Sequence, residues 1–290
     1  MKETESYYPY YYKEREEIKP LHILLLILTF LTTTFFGAMM EGGDPLTFYG
    51  LKKGLPYSIS LMGVLFVHEM GHFITSRYYG VRVTFPYFIP APNLIGTFGA
   101  FIKMKSPIPN KRILFDIGFA GPFAGFIASI IALYFGIKTS KVIPQHPGFP
   151  EGIALGTNLA MEIIIKIVKG NIPQGYDILL GPVAFAGWLG LLVTAMNLIP
   201  VGQTDGGHIF YSVIGRGHYF FAFLFVIGLI ILGTYVWPGW LFWALILVLI
   251  GMSHPPVINP FIPLDRKRIL LFFVAVIIFI LSFSPSPFKL

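Results

Sequence analysis

The sequence predicts an all-α polytopic membrane protein with about seven (six to seven) transmembrane helices and a short β-ribbon or re-entrant loop after the second. Three observations carry this. Hydrophobic residues make up 55% of the chain and charged residues only 12%, against about 25% charged in a soluble domain. Mean hydropathy is +0.72. The apolar residues fall in continuous runs rather than in the alternation of a β-barrel wall. The net charge of +7 does not point to nucleic acid, because the basic residues lie between apolar runs, where they set topology. Cysteine is absent, so there is no disulfide framework and no thiolate ligand, and a metal must be held by His, Asp or Glu.

Residues 1–20 read as a polar, tyrosine-rich cytoplasmic tail. The run from Leu21 to Met40 is an accessory first membrane helix, retained rather than cleaved as a signal peptide, because no small-residue cleavage site follows it. The catalytic membrane core is expected over 55–208. Its first helix, Leu55 to Tyr79, contains His68-Glu69-x-x-His72. Histidines at i and i+4 share one helix face, which suits two neutral imidazoles on one Zn²⁺. Glu69, next in sequence to the first histidine, is placed to act as general base on a water activated by that metal. Ionisable groups are expensive inside lipid, so three of them at this spacing point to function. The plainer alternative satisfies the histidines with backbone carbonyls and pairs Glu69 with Arg77.

The stretch from Val81 to Arg112 holds five prolines and two glycines and is not expected to be helical. Extended runs at 81–85 and 96–102 suggest a β-ribbon or re-entrant loop whose free edge can receive a substrate strand, or else a plain interfacial connection. The third span runs from Ile113 to Ile137. Asp116 is expected in its first turn as a favourable charge at a helix N-terminus, and Gly118, Gly121 and Gly125 form a small-residue face for close helix contact. Between Lys138 and Gly181 lies a polar connection with one short amphipathic helix near 157–169 and a surface His146. The fourth span, Pro182 to Ile199, runs into Asn197-x-x-Pro200-x4-Asp205-Gly206-Gly207-His208. Catalytic zinc takes three protein ligands, and Asp205 is the best candidate for the third. His208 is a candidate supporting group or spare ligand. Residues 209–290 supply the C-terminal membrane helices, Tyr219 to Val236, Trp240 to Met252 and Ile269 to Phe283, of which the middle one is short for a full crossing. With a cytoplasmic N-terminus and seven crossings, the larger share of Lys and Arg falls on the cytoplasmic side. His72 and Asp205 then arrive at that same face.

The two motifs together resemble the site-2 protease family of intramembrane zinc metalloproteases, in the branch shared by archaea, cyanobacteria and chloroplasts. Pro86-Tyr87-Phe88-Ile89-Pro90 and Gly96-Thr97-Phe98-Gly99-Ala100 are further points of likeness. The resemblance covers about Met62 to His208. It implies one Zn²⁺ held by His68, His72 and Asp205, with Glu69 as the catalytic base and Asn197 binding the substrate backbone or the oxyanion. The implied reaction is hydrolysis of peptide bonds in or near transmembrane segments of membrane-protein substrates, at a site toward the cytoplasmic side of the lipid bilayer. Many members carry an asparagine a few residues after Gly-Pro in the third core helix; Gly121-Pro122-Phe123-Ala124-Gly125 has none. The connections leave no room for the PDZ or CBS domains of some relatives. The alternative functions are a membrane metal transporter, against which stands the lack of a second relay of acids and histidines, and a non-catalytic homologue, against which stands the intact Glu69.

Overall fold

The computed structural model describes residues 17–144 and 154–289. His146 and most of the N-terminal tail lie outside them. Helix α1 (Pro20–Met40) and the long α2 (Phe48–Tyr78) form an antiparallel pair joined by a turn. Gly37 and Gly54 let the two backbones meet, since a Cβ on Gly54 would collide with the Thr34 carbonyl. Strands β1 (Tyr87–Pro90) and β2 (Thr97–Phe101) then form an antiparallel ribbon. The first extended run expected from sequence, 81–85, contributes only a single bridge, Val83 to Met104. The strand proper begins after Pro86, because proline has no N–H for a ladder. The ribbon lies along α1. The Tyr87 ring sits 4.2 Å from that of His22 in its first turn, and at the ribbon's tip Thr32 donates to the Gly96 carbonyl at 2.7 Å. Tyr57 of α2 donates to the neighbouring Ile95 carbonyl at 2.8 Å. Gly96 adopts φ +83° there, and a Cβ would press on Thr33.

Helix α3 (Lys111–Thr139) is the central element, packed on α2 and on the later helices. Its N-cap is Asn110, whose Oδ1 accepts from the N–H groups of Arg112 and Ile113 at 2.9 and 3.1 Å. Asp116 therefore lies in the second turn, not the first. It is held instead by Arg268, whose Nε donates at 2.9 Å and whose NH2 donates at 2.5 Å, and by the Tyr79 hydroxyl. After α3 come β3 (Lys141–Pro144), β4 (Ala154–Leu155), the amphipathic α4 (Leu159–Lys169) and β5 (Tyr176–Leu179), with β3 antiparallel to β5.

Helix α5 (Pro182–Asn197) returns through the bundle, its Trp188 fully buried. Helix α6 (Asp205–Ile214) was not anticipated, because Gly206-Gly207 reads as a break. Thr204 caps it by accepting from the Gly207 N–H at 3.0 Å. A 3-10 turn joins it to α7 (His218–Tyr235), followed by α8 (Gly239–Ile250), α9 (Arg266–Ser282) and β6 (Phe288–Lys289), which pairs antiparallel with β4. The segment after α8 runs back to the start of α3: Ile258 and Asn259 donate to the carbonyls of Ile108 and Pro109 at 3.0 and 2.9 Å.

Among the described residues, three helical stretches are long and apolar enough to cross a membrane: 20–40, 111–139 and 205–235. Helix α5, with 16 residues, is about 24 Å long, and α8, with 12, about 18 Å, against a hydrocarbon core of about 30 Å.

The Asp116–Arg268 pair joins α3 to α9, with both side chains 17% exposed, and Tyr79 adds the end of α2. Removing one partner leaves the other partly buried without its counter-charge. Asp116→Asn is expected to cost roughly 1–3 kcal/mol and to lower the unfolding midpoint in detergent; an unchanged midpoint contradicts this account of the junction.

Candidate metal centre

His68, Glu69 and His72 all lie on the buried side of α2. Helical spacing sets the two imidazoles on one stripe, and α3 presents its glycines to them. A Cβ on Gly121 would fall on the His72 ring, and one on Gly125 would lie 2.6 Å from His68 Nδ1. Gly71, on the same stretch of α2, faces the Ala120 carbonyl, where a Cβ would sit 2.5 Å away. Two glycines of the small-residue face expected on α3, Gly121 and Gly125, thus form a wall of the histidine site, while Gly118 faces His208 and the Asp205 carbonyl on α6.

The His72 Nδ1 lies 2.8 Å from the Ile117 carbonyl. A carbonyl only accepts, so Nδ1 carries the proton and neutral His72 presents a bare Nε2. That nitrogen is 3.3 Å from His68 Nε2 and 3.2 Å from Asp205 Oδ1, while His68 Nε2 is 3.3 Å from Asp205 Oδ2. One donor atom from each of the three residues falls within 4.8 Å of the others. Zinc binds nitrogen and oxygen at about 2.0–2.1 Å in tetrahedral arrays. The edge of such a tetrahedron is about 3.3–3.4 Å, so the spacing and chemistry of the donor set fit one Zn²⁺. The second-nitrogen bond to a backbone carbonyl is the usual support for a metal-bound imidazole.

Asp205 opens α6, so its carboxylate sits at the positive end of a helix dipole. The break that places it depends on glycine. Gly202 has φ +58°, and a Cβ there would strike the Gly251 carbonyl; one on Gly206 would strike the Leu198 carbonyl. Glu69 is 5% exposed and lies beside the three donor residues; the backbone N–H of Ile102, just beyond β2, acts on its carboxylate. The ribbon therefore reaches the site. Asn197, the last residue of α5, has its amide nitrogen 3.3 Å from His68 Nε2. The alternative pairing of Glu69 with Arg77 is not what forms, since Arg77 lies over the Phe73 ring.

His208 does not join the donor set among the described residues. Its Nδ1 is 2.6 Å from His254 Nε2, and His254 Nδ1 is 2.6 Å from the Pro255 carbonyl. The carbonyl fixes the proton on His254 Nδ1, so its Nε2 accepts from His208. His254 stacks on Tyr211 with centroids 4.3 Å apart. His254 lies 46 residues from His208, and no spacing rule links them.

Peptidase family M50 matches residues 56–234. The chain belongs to this family, that of the site-2 proteases. The chain is 33% identical over 172 residues to the probable zinc metalloprotease EGY2, chloroplastic, of Arabidopsis thaliana, covering 57% of this chain and 30% of that protein. It is 30% identical over 245 residues to the probable zinc metalloprotease EGY1, chloroplastic, of the same plant, covering 81% of this chain and 43% of that one. The EGY1 counterpart of Oryza sativa subsp. japonica is 29% identical over 242 residues, covering 81% and 41%. The chain thus spans less than half the length of these relatives. No solved structure matches. The M50 match includes both motifs and the glycine face between them.

The Gly121 contact yields a direct prediction. Gly121→Ala is expected to displace His72 and weaken zinc binding by about tenfold or more, measured by competition with a chromophoric chelator. Gly63→Ala, on the same helix with nothing within 4 Å of the added carbon, is expected to bind as the parent does. Equal affinities for all three contradict the assignment of the glycine wall.

Proposed function

We propose that this chain is an intramembrane zinc metalloprotease that hydrolyses peptide bonds in or near transmembrane segments of membrane-protein substrates. The observation that carries the reading is the convergence of His68, His72 and Asp205 within 4.8 Å, with Glu69 buried beside them. In this reading the three side chains hold one Zn²⁺ per chain. Zinc bound there supplies Lewis acidity to a water molecule and to the scissile carbonyl. Glu69 takes a proton from the water oxygen and hands it to the departing amide nitrogen. Its neighbouring apolar walls exclude bulk water from that transfer. Asn197, at the rim beside His68, donates from its amide to the substrate backbone or the developing oxyanion.

The substrate segment must be extended at the cut, because helical hydrogen bonding occupies its carbonyls. We assign the β1–β2 ribbon as its guide. The free edge of β2 offers backbone groups for strand addition, and Ile102 at its end lies beside Glu69. The ribbon runs beside α1 from His22 down to Thr32, which supports reading it as re-entrant, with its tip satisfied by Thr32 and Tyr57 as membrane depth requires.

The proposed topology has seven crossings, α1, α2, α3, α5, α6 with α7, α8 with the segment after it, and α9, and a cytoplasmic N-terminus. The pairing of β6 with β4 supports it, since the chain's last strand then lies on the far side with the α3–α5 connection. The return of the segment after α8 to Ile108 and Pro109 supports a crossing there despite the shortness of α8. The metal site then opens toward the cytoplasmic side.

Glu69→Gln tests the base. In vesicles containing a cleavable transmembrane reporter, the variant is expected to retain zinc at the parent level and to lose at least about a hundredfold in cleavage rate. Cleavage at the parent rate removes Glu69 from the mechanism.

A further inference from the structure

Away from the metal site, α2, α3 and α9 enclose a cleft of about 380 Å³ lined by Ile74, Tyr78, Phe119, Lys267, Arg268 and Leu271, among others. Its outer rim is open: Ile74 is 60% and Tyr78 80% exposed. One wall is apolar and the other end cationic. Arg268 is spent on Asp116, Tyr79 and Asp265. Lys267 is exposed, and neither it nor Arg266 has an ion-pair partner among the described residues.

The placement of these cations is unusual for helix electrostatics. Arg266, Lys267 and Arg268 occupy the first turn of α9, the positive end of its dipole, where anions are favoured. Asp265 caps the helix, and the Arg268 backbone N–H it accepts holds its carboxyl below the usual carboxylate range. Beside Asp265 lies one more cation, Arg112, whose Nε donates to the Pro263 carbonyl at 2.8 Å; the acids there are Asp116 and Asp265. The mouth is thus short of negative charge, while the cleft below it is short of apolar contacts. One molecule supplies both: a phospholipid with an anionic headgroup.

We infer that this cleft is a binding site for an anionic phospholipid, its phosphate at Lys267 and the Tyr78 and Thr75 hydroxyls, and an acyl chain along Ile74, Phe119 and Leu271. Basic pockets between membrane helices recognise such headgroups. The bound lipid bridges α9 to the histidine-bearing helix and steadies the Asp116–Arg268 junction. The inference rests on the reading of the chain as a membrane protein and not on its proteolytic activity.

The test uses the full chain in detergent, by native mass spectrometry and thermal unfolding. The probes are phosphatidylglycerol, phosphatidylcholine with the same acyl chains, and inorganic phosphate alone. Phosphatidylglycerol is expected to remain as one adduct per chain and to raise the unfolding midpoint; the other two are not. Lys267→Glu is expected to reduce phosphatidylglycerol retention about fivefold or more. Lys166→Glu, the same charge change on exposed α4, is expected to leave it unchanged. Lys267 is a surface side chain, so the variant is expected to fold, and the comparison of lipids on the parent chain stands without it. Equal retention of both lipids, equal stabilisation by phosphate alone, or equal loss in the two variants overturns the proposal. Because neither readout needs cleavage or zinc, a negative result leaves the protease reading untouched, and a protease without activity leaves this one.

Discussion

A side chain as small as a methyl group at position 121 would occupy the space of the His72 imidazole, and one at 125 would crowd His68. The site depends on this absence. Two imidazoles and two carboxylates can be kept in an apolar helical bundle only if each has a fixed partner, because an unsatisfied polar group there costs several kcal/mol. The glycines of α3 bring its backbone close enough for the Ile117 carbonyl to accept a hydrogen bond from His72 Nδ1 and for α6 to deliver Asp205 from the other side. Close packing and chemistry are one arrangement here: the approach that lets helices pack also fixes which nitrogen faces inward.

The same economy of polar groups shapes the rest of the bundle. The β1–β2 ribbon exposes backbone that a helix would satisfy internally, and Thr32 and Tyr57 answer its tip carbonyls. The break between α5 and α6 frees more, and Thr204 closes it by capping α6 while its own hydroxyl donates to the Ile199 carbonyl at 2.5 Å. In the second turn of α3, next to Ile117, Asp116 is held by the Tyr79 hydroxyl and the Arg268 guanidinium. Irregular backbone occurs beside the metal-donor cluster, and the ribbon tip and the α5–α6 break are each tied to a regular helix.

Much of this was legible in the sequence because it is local. The i, i+4 histidines, the adjacent glutamate and the Asn-x-x-Pro-x4-Asp run carry their meaning in spacing, and composition carries the membrane class. The glycine triplet on α3 was recognisable as a packing face, but its target was not, since which helix a small-residue stripe meets is a tertiary fact. Asp116 lies one turn deeper than its place at the start of the apolar run suggests, because Asn110, six residues before it, caps the helix; its partner Arg268 lies 152 residues away. Helix α6 was hidden by the low helix propensity of Gly206-Gly207, which tertiary contact overrides. The His208–His254 pair was beyond reach for the same reason as Asp116–Arg268: hydrogen bonds between distant segments leave no periodic trace.

The central claim is that His68, His72 and Asp205 form one zinc site, and elemental analysis of the purified protein tests it without any substrate. The parent chain is expected to carry about one zinc, the His68→Ala and His72→Ala double variant none, and Asp205→Ala a reduced amount after dialysis. A folded parent without zinc, or a double variant that keeps it, contradicts the account.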